Sequence, residues 1–221
     1  MANMKTFEQM HETNKITPIV IMNTIASAVP LAELLVANGI DSMEIAIRTP
    51  HAYAIIEKIA AHVPDMFIGA NTIKSAGDFL TAYNAGADYI VSPGCSNELF
   101  IAARSHRSVI RYLPAVITPS EAMFALNEGF NVLKFFPSED YNGYHVLQSI
   151  YPSLPELKFC PTGGITTANM KKYLRLPNVL AVGMREIVDN SLIESKNFEE
   201  IERRVKEAVA IMKSLKMDPG F

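Results

Sequence analysis

The sequence predicts an α/β protein of the (β/α)8 class, a TIM barrel, formed by a single domain over residues 1–221. The main observation is that eight short apolar segments alternate with amphipathic ones, at a spacing of roughly 20 to 28 residues. No composition shift and no linker rich in Pro, Gly or Ser divides the chain. No GxGxxG follows any apolar segment, which disfavours an open doubly wound sheet.

Each apolar segment has the length and composition of a strand that is buried on both faces. The eight predicted strands cover residues 18–22, 42–48, 66–70, 88–92, 109–116, 131–137, 157–162 and 179–183. Between them, Asn-Gly, Ala-Gly and Glu-Gly pairs end predicted helices just before a strand, and Ser96 and Thr118 begin others. The segment that begins at Asn197 is a charged amphipathic helix.

Composition excludes several classes of function. Of 221 residues, 49% are hydrophobic and 19% charged, and the formal charge is −3, so neither a nucleic acid nor a membrane is an expected partner. The two cysteines form no CxxC and the five histidines are scattered, so no metal and no cofactor is expected. The N-terminus lacks the apolar region of a signal peptide, and we expect a cytoplasmic protein.

Polar side chains collect where the predicted strands end, and elsewhere the strands are nearly uniformly apolar. In barrels of this class the chemistry lies at those carboxyl ends. The residues concerned are Glu44, Arg48, Asn71, Thr72, Ser92, Pro93, Lys134, Thr162, Gly163 and Gly164. This asymmetry predicts a small-molecule site at one end of the barrel.

Lys134 lies in the middle of the apolar stretch NVLKFFP. A buried lysine is unusual unless it is paired, reaches water or is neutral. One interpretation is a structural lysine, which either forms a buried ion pair with Glu44 or reaches up to solvent. The other is a neutral amine, favoured by an apolar setting, that acts as a nucleophile.

The segment MEIAIRTP places Glu44 and Arg48 on one face of a strand, with Arg48 about 13 Å further toward the rim. After the seventh strand, Thr162-Gly163-Gly164 precedes a predicted helix, and its backbone amides form a candidate anion site. By itself, such a Gly-Gly is more often a plain turn.

Together these elements suit a lysine that condenses with a keto acid to form a Schiff base. Glu44 would move protons, Arg48 would hold a carboxylate, and the amides would hold a phosphate. Two alternatives remain open. One is a phosphate-binding isomerase or synthase without a covalent intermediate, and the other is a non-catalytic sugar-acid binding protein.

At these residues the sequence resembles the class I aldolases that cleave 2-keto-3-deoxy-6-phosphogluconate and 4-hydroxy-2-oxoglutarate. The similar blocks are MEIAIRT, IGANTI, YIVSPG, LKFFP and KFCPTGGI, in order along nearly the whole chain. The resemblance implies pyruvate and an aldehyde as products, and a homotrimer. It also implies a Schiff base on Lys134, acid–base catalysis by Glu44, and substrate contacts from Arg48, Thr72, Pro93, Phe136, Thr162, Gly163 and Gly164.

The chain departs from this family at two places. Asn71 stands where the family usually has glycine, and Met184 and Arg185 stand where it commonly has Gly-Ser. Arg185, in place of a serine that helps to bind phosphate, is therefore an expected substrate contact. It either strengthens an anion contact or indicates a different distal group, such as a second carboxylate.

Overall fold

The computed structural model describes residues 5–215, in which helices alternate with short parallel strands. The strands are β1 Ile16–Val20, β2 Ser42–Ala46, β3 Phe67–Asn71, β4 Tyr89–Val91, β5 Arg111–Leu113, β6 Ala115–Val116, β7 Val132–Phe135, β8 Lys158–Pro161 and β9 Val182–Met184. The α-helices are α1 Phe7–Met10, α2 Ala28–Ala37, α3 Ala52–His62, α4 Ala76–Asn84, α5 Asn97–Ser105, α6 Pro119–Asn127, α7 Gly143–Ile150, α8 Met170–Leu174, α9 Asn190–Glu194 and α10 Phe198–Ser214. Within this range no helix combines the length and apolar character needed to cross a membrane.

The strands form two parallel sheets. One has the order β5-β4-β3-β2-β1-β9 and the other the order β6-β7-β8. Pro114 alone separates β5 from β6, and its carbonyl accepts the Lys134 N–H at 2.9 Å. Isolated bridges from Phe159 to Val179 and from Thr162 to Gly183 connect the second sheet to the segment that ends in β9. The α/β prediction with a curved parallel sheet is confirmed.

The predicted strand positions hold to within a few residues. Among the differences, β1 covers Ile16–Val20 rather than residues 18–22. The segment 109–116 is divided at Pro114, because proline has no N–H to give to a sheet ladder. The last strand begins at Val182 rather than at residue 179, and β2 ends at Ala46 rather than at residue 48.

Alternate side chains along each strand point to opposite faces of the sheet, one facing the helices and the other facing the interior. Leu133 and Phe135 of β7 belong to the large core that packs between the strands and the helices. Val132 and Lys134 point to the opposite, interior face, as Glu44 does from β2. Strands buried on both faces explain the nearly continuous apolar runs in the sequence.

A second, smaller cluster fills part of the interior face. We call it the apolar interior cluster; it consists of Phe7, Met10, Tyr89, Val91, Leu113, Val132, Cys160 and Ala181. Helix α1 contributes two of these side chains and is held by a capping box between Thr6 and Gln9. Gly69 lies against the Tyr89 ring, and a Cβ at that position would be only 2.5 Å from it. The absent side chain at residue 69 therefore makes the room that the tyrosine ring occupies.

Candidate active site

A cavity of about 370 Å³ lies at the carboxyl ends of the strands. Of the ten predicted site residues, the nine that line it are Arg48, Thr72, Pro93, Lys134, Phe136, Thr162, Gly163, Gly164 and Arg185. The tenth, Glu44, is 3% exposed and contacts Lys134, which does line the cavity. The structure therefore brings all ten together.

Lys134 and Glu44 meet across the interior although they are far apart in sequence. Lys134 Nζ is 3.3 Å from Glu44 Oε2, and the lysine is only 2% exposed. Glu44 lies on β2 of the first sheet and Lys134 on β7 of the second, so their contact bridges the two sheets. The Nζ atom also lies 5.5 Å from the centre of the Phe136 ring, which is within cation–π range.

A chain of hydrogen bonds continues from Glu44 toward the rim. Asn71 Nδ2 donates to Glu44 Oε2 at 2.6 Å, and Thr72 Oγ1 donates to Asn71 Oδ1 at 3.3 Å. Arg48 Nε in turn donates to Thr72 Oγ1 at 3.4 Å. Asn71 thus connects the buried carboxylate to the exposed arginine.

Arg48 reaches the rim by a different route from the one predicted. Because β2 ends at Ala46, Arg48 lies in the following turn, where its N–H donates to the Ala46 carbonyl at 2.8 Å. The prediction that Arg48 continues the strand and shares a face with Glu44 is wrong. Arg48 nevertheless lines the cavity, as predicted.

Thr72 has a left-handed backbone conformation, with φ of 70°. For a β-branched residue this conformation is a genuine outlier and costs on the order of 1–3 kcal/mol. Thr72 lines the cavity and contacts Arg48, so the strain is located at the site.

The loop after β8 is held by the loop after β7. Ser138 N–H donates to the Thr162 carbonyl at 2.8 Å, and Glu139 N–H donates to the Gly163 carbonyl at 3.1 Å. Gly164 has φ of 74°, and a Cβ there would lie 2.7 Å from Glu139 Cβ. Glycine is required for this close approach and for the positive φ.

The predicted helix after this loop begins later than expected. Helix α8 begins at Met170, so Thr166 and Thr167 lie in the preceding turn. Their amides already have protein acceptors: Asn169 Oδ1 accepts from Thr166 at 2.8 Å, and Glu186 Oε2 accepts from Thr167 at 2.7 Å. The amides of Gly164 and Ile165 have no acceptor within residues 5–215.

Three polar residues that line the cavity were not among the ten predicted site residues: Asn71, Thr166 and Glu186. Asn71 is the last residue of β3 and lies at the same edge of the sheet as the other strand ends, and this position indicates a site residue. Glu186 follows Arg185 in the loop after β9, and no local pattern indicates which way its side chain points.

A cavity at the strand ends of a parallel α/β sheet, lined by a buried lysine that contacts a carboxylate, places the chain in the class of lysine-dependent α/β enzymes. The family model described as KDPG and KHG aldolase matches residues 7–204. Here KDPG denotes 2-keto-3-deoxy-6-phosphogluconate and KHG denotes 4-hydroxy-2-oxoglutarate.

Individual relatives agree with this match over nearly all of the chain. The 2-dehydro-3-deoxy-phosphogluconate aldolase of Dickeya dadantii is 36% identical over 95% of this chain and 98% of its own length. The KHG/KDPG aldolase of Escherichia coli K12 is 35% identical, with the same coverage. A solved structure of KDPG aldolase from Legionella pneumophila, with pyruvate captured at low pH as a covalent carbinolamine intermediate, has a TM-score of 0.88. It is 36% identical and covers 92% of this chain and 98% of its own.

The chain belongs to the KDPG and KHG aldolase family. The resemblance inferred from the sequence blocks is thereby confirmed, and the enzyme class is that of the carbon–carbon lyases.

Proposed function

We propose that this protein is a class I aldolase that cleaves a 4-hydroxy-2-oxo acid to pyruvate and an aldehyde through a Schiff base on Lys134. The substrate class is a 2-keto-3-deoxy sugar acid, phosphorylated or not, or 4-hydroxy-2-oxoglutarate. The observation that carries the proposal is the buried Lys134, which lines the cavity with its Nζ 3.3 Å from the Glu44 carboxylate. The aldolase relatives support the same chemistry.

In the proposed reaction the Lys134 amine attacks the keto carbon of the substrate and forms a carbinolamine. Loss of water gives an iminium ion, which accepts the electron pair when the C3–C4 bond breaks. The C4 hydroxyl loses its proton at that step and becomes the aldehyde. The remaining enamine is protonated on carbon, and hydrolysis of the new iminium releases pyruvate and the free amine.

Glu44 is the group placed to move these protons, because its Oε2 lies within 3.3 Å of the Lys134 nitrogen. The Asn71 amide donates to the same oxygen and fixes the direction of the carboxylate. Arg48 and Thr72 at the rim would bind the substrate carboxylate, and the guanidinium can do so bidentately. Pro93, Phe136 and Thr162 would shape the cavity around the reacting carbons.

We extend the proposal to the fold: residues 1–221 form one domain, a closed (β/α)8 barrel. Supporting this, β5 and β6 are separated by one proline, and Phe159 and Thr162 form bridges to Val179 and Gly183. If β5 and β6 count as one strand, the strands number eight within residues 5–215.

We also propose a homotrimer. Exposed apolar side chains on α4, α5 and α6 support an interface on that side of the molecule, namely Leu80, Ile101, Met123 and Phe124. Light scattering coupled to gel filtration measures the subunit number directly, and a monomer would reject this part of the proposal. The expected cytoplasmic location stays a prediction.

The test is covalent capture. The protein is incubated with pyruvate and reduced with borohydride, and peptide mass spectrometry locates the added mass. We expect a pyruvate-derived adduct on Lys134 and none in Lys134→Arg. Lys158→Arg is the matched control: Lys158 is another strand lysine, but its Nζ donates to the Pro177 carbonyl outside the cavity.

Absence of an adduct in the folded wild-type protein would reject the Schiff-base mechanism. The isomerase and binding-protein alternatives would then be separated by whether a keto acid turns over or only raises the melting temperature.

A further inference from the structure

The cavity wall formed by the loops after β8 and β9 combines charges in an unusual way for an anion site. We call it the distal wall; it comprises Gly163, Gly164, Ile165, Thr166, Arg185 and Glu186. Under the proposed function, which this inference rests on, the substrate carboxylate lies at Arg48. The end of the substrate remote from the keto group then lies at the distal wall.

We propose that the distal wall selects an uncharged, hydroxyl-bearing chain, so that the substrate is a 2-keto-3-deoxy sugar acid without a phosphate, and that Glu186 is the specificity-determining residue. Glu186 was not among the site residues inferred from the sequence, and it adds an acidic residue to the part of the cavity lining where an anion was expected. It also lines a second cavity, together with Arg203, Arg204 and Glu207.

Glu186 is anchored at both its side chain and its backbone. Its Oε2 accepts the Thr167 N–H at 2.7 Å, and its carbonyl accepts Arg204 Nη1 from α10 at 2.9 Å. It also begins the short 3-10 turn that directly follows β9 and Arg185. The direction of the Glu186 side chain is therefore fixed by these contacts.

The hydrogen bond between Glu186 and Thr167 also occupies a backbone N–H that could otherwise donate to an anion. The N–H of Thr167 is taken by Glu186, and that of Thr166 is taken by Asn169 Oδ1 at 2.8 Å. Gly164 and Ile165 keep amides with no acceptor within residues 5–215, and these can donate either to a hydroxyl oxygen or to a phosphate oxygen. The choice between the two ligands therefore depends on charge.

The charges of the distal wall cancel. Arg185 makes no ion pair within the part of the chain that the structure describes, and Glu186 supplies the opposite charge beside it. A phosphate monoester carries about −1.5 to −2 near neutral pH and would lie against the Glu186 carboxylate. A hydroxyl both donates and accepts, so it matches a carboxylate acceptor and a guanidinium donor together.

The acidic surroundings of Arg185 extend beyond Glu186. The pKa of Asp189 is lowered mainly by hydrogen bonds from Ser191, and Arg204 and Arg185 contribute to the lowering. Asp189 is thus a second carboxylate near the Arg185 guanidinium.

The test compares kcat/KM for 2-keto-3-deoxygluconate and for its 6-phosphate, measured by pyruvate release. For the wild-type protein we expect a higher value with the unphosphorylated acid. Glu186→Gln keeps an acceptor for the Thr167 N–H but removes the charge. It should raise kcat/KM for the phosphate ester about tenfold. It should not raise the value for the unphosphorylated acid, whose hydroxyls lose a charged acceptor.

Glu207→Gln is the matched control, because it removes the charge of an acid next to the cavity but outside its lining. The inference is supported if Glu186→Gln shifts the substrate ratio at least about fivefold more than this control does. It is overturned if the ratio moves no further than in the control. It is also overturned if the wild-type enzyme prefers the phosphate ester or the dicarboxylate 4-hydroxy-2-oxoglutarate.

Failure of this inference is distinguishable from failure of the proposed function. Pyruvate has no distal group, so borohydride capture on Lys134 reports the Schiff-base chemistry alone in all these variants. Capture with an unchanged substrate ratio overturns only the role of Glu186, whereas a missing adduct overturns the aldolase mechanism itself.

Discussion

The interior face of the strands carries two groups of side chains with opposite character. The apolar interior cluster, which α1 completes with Phe7 and Met10, has the ordinary composition of a core. The second group holds a lysine, a carboxylate, an amide and a hydroxyl, all buried: Lys134, Glu44, Asn71 and Thr162. Strand β7 supplies both groups, with Val132 in the first and Lys134 in the second, so neighbouring positions on one face stabilise the fold and carry chemistry.

The two groups contribute to stability with different signs. Each large apolar side chain that is fully buried, such as Leu113 or Val132, stabilises the folded state by about 1.5–3 kcal/mol relative to exposure. The Lys134–Glu44 pair loses hydration on burial, and hydrophobic replacements of such pairs are often neutral or stabilising. This comparison indicates that the presence of buried polar side chains on the interior face is explained by their reactivity, because they add little to the stability of the fold.

The largest expected effect tests the polar group through Glu44→Gln. Glutamine preserves the shape and can still accept from Asn71, but it cannot carry a proton between substrate positions. We expect kcat for pyruvate release to fall by about 10²–10⁴-fold, the usual contribution of general acid–base catalysis. A steady-state assay at saturating substrate measures this. A fall smaller than about threefold would mean that Glu44 only fixes Lys134 in place.

The next effect tests the apolar interior cluster through Phe7→Ala. The Phe7 ring is 7% exposed and packs edge-on against Tyr89 at 5.6 Å. Its removal should lower the free energy of unfolding by about 3–5 kcal/mol and leave kcat of the folded enzyme unchanged. Urea denaturation measures the loss. The exposed Glu8→Ala on the same helix is the control and should change stability by less than about 0.5 kcal/mol.

If Phe7→Ala lowered kcat as strongly as Glu44→Gln does, the division of the interior into two groups would be wrong. If Phe7→Ala lowered only the stability and left kcat unchanged, the result would support that division.

A smaller effect comes from the strained Thr72. Thr72→Ala and Thr72→Gly both remove the hydroxyl that contacts Arg48, so both should raise KM for the keto acid. Only glycine adopts φ of 70° without a steric penalty. Thr72→Gly should therefore be more stable to denaturant than Thr72→Ala by about 1 kcal/mol, against the usual order of these residues. Equal stabilities would show that Thr72 is not strained.

The smallest effect is a pH dependence of stability at His11, next to α1. Burial lowers the pKa of His11 below its ordinary value of 6.5, and its Nδ1 lies 3.1 Å from the Asn14 carbonyl. Below about pH 6.5 the unfolded chain binds a proton there that the folded chain does not, so stability falls as pH falls. Between pH 7 and 5, His11→Gln should show a smaller decrease in the free energy of unfolding than the wild-type protein. Parallel curves would contradict this assignment.

Much of the site could be predicted because strand-end polarity is a local property of the sequence. Lys134 between apolar neighbours and Gly163-Gly164 after a strand are visible without a structure, and a parallel sheet places all strand ends on one side. The division of the segment 109–116 was less accessible, because a proline such as Pro114 can lie inside, beside or at the end of a strand.

The resemblance to the aldolases added Phe136 and Arg185 to the predicted cavity residues. By itself, the sequence determined the alternation of strands and helices, seven residues that line the cavity, and the candidate partner of the buried lysine. These follow from side-chain periods of a few residues, which each segment expresses alone. Only the tertiary structure decided that Glu44 and Lys134, 90 residues apart, meet across the interior at 3.3 Å. It also decided the left-handed backbone of Thr72 and the turn of Glu186 onto the Thr167 amide. The physical reason is that loop conformations and contacts between sheets depend on every element packing at once, which no local pattern records.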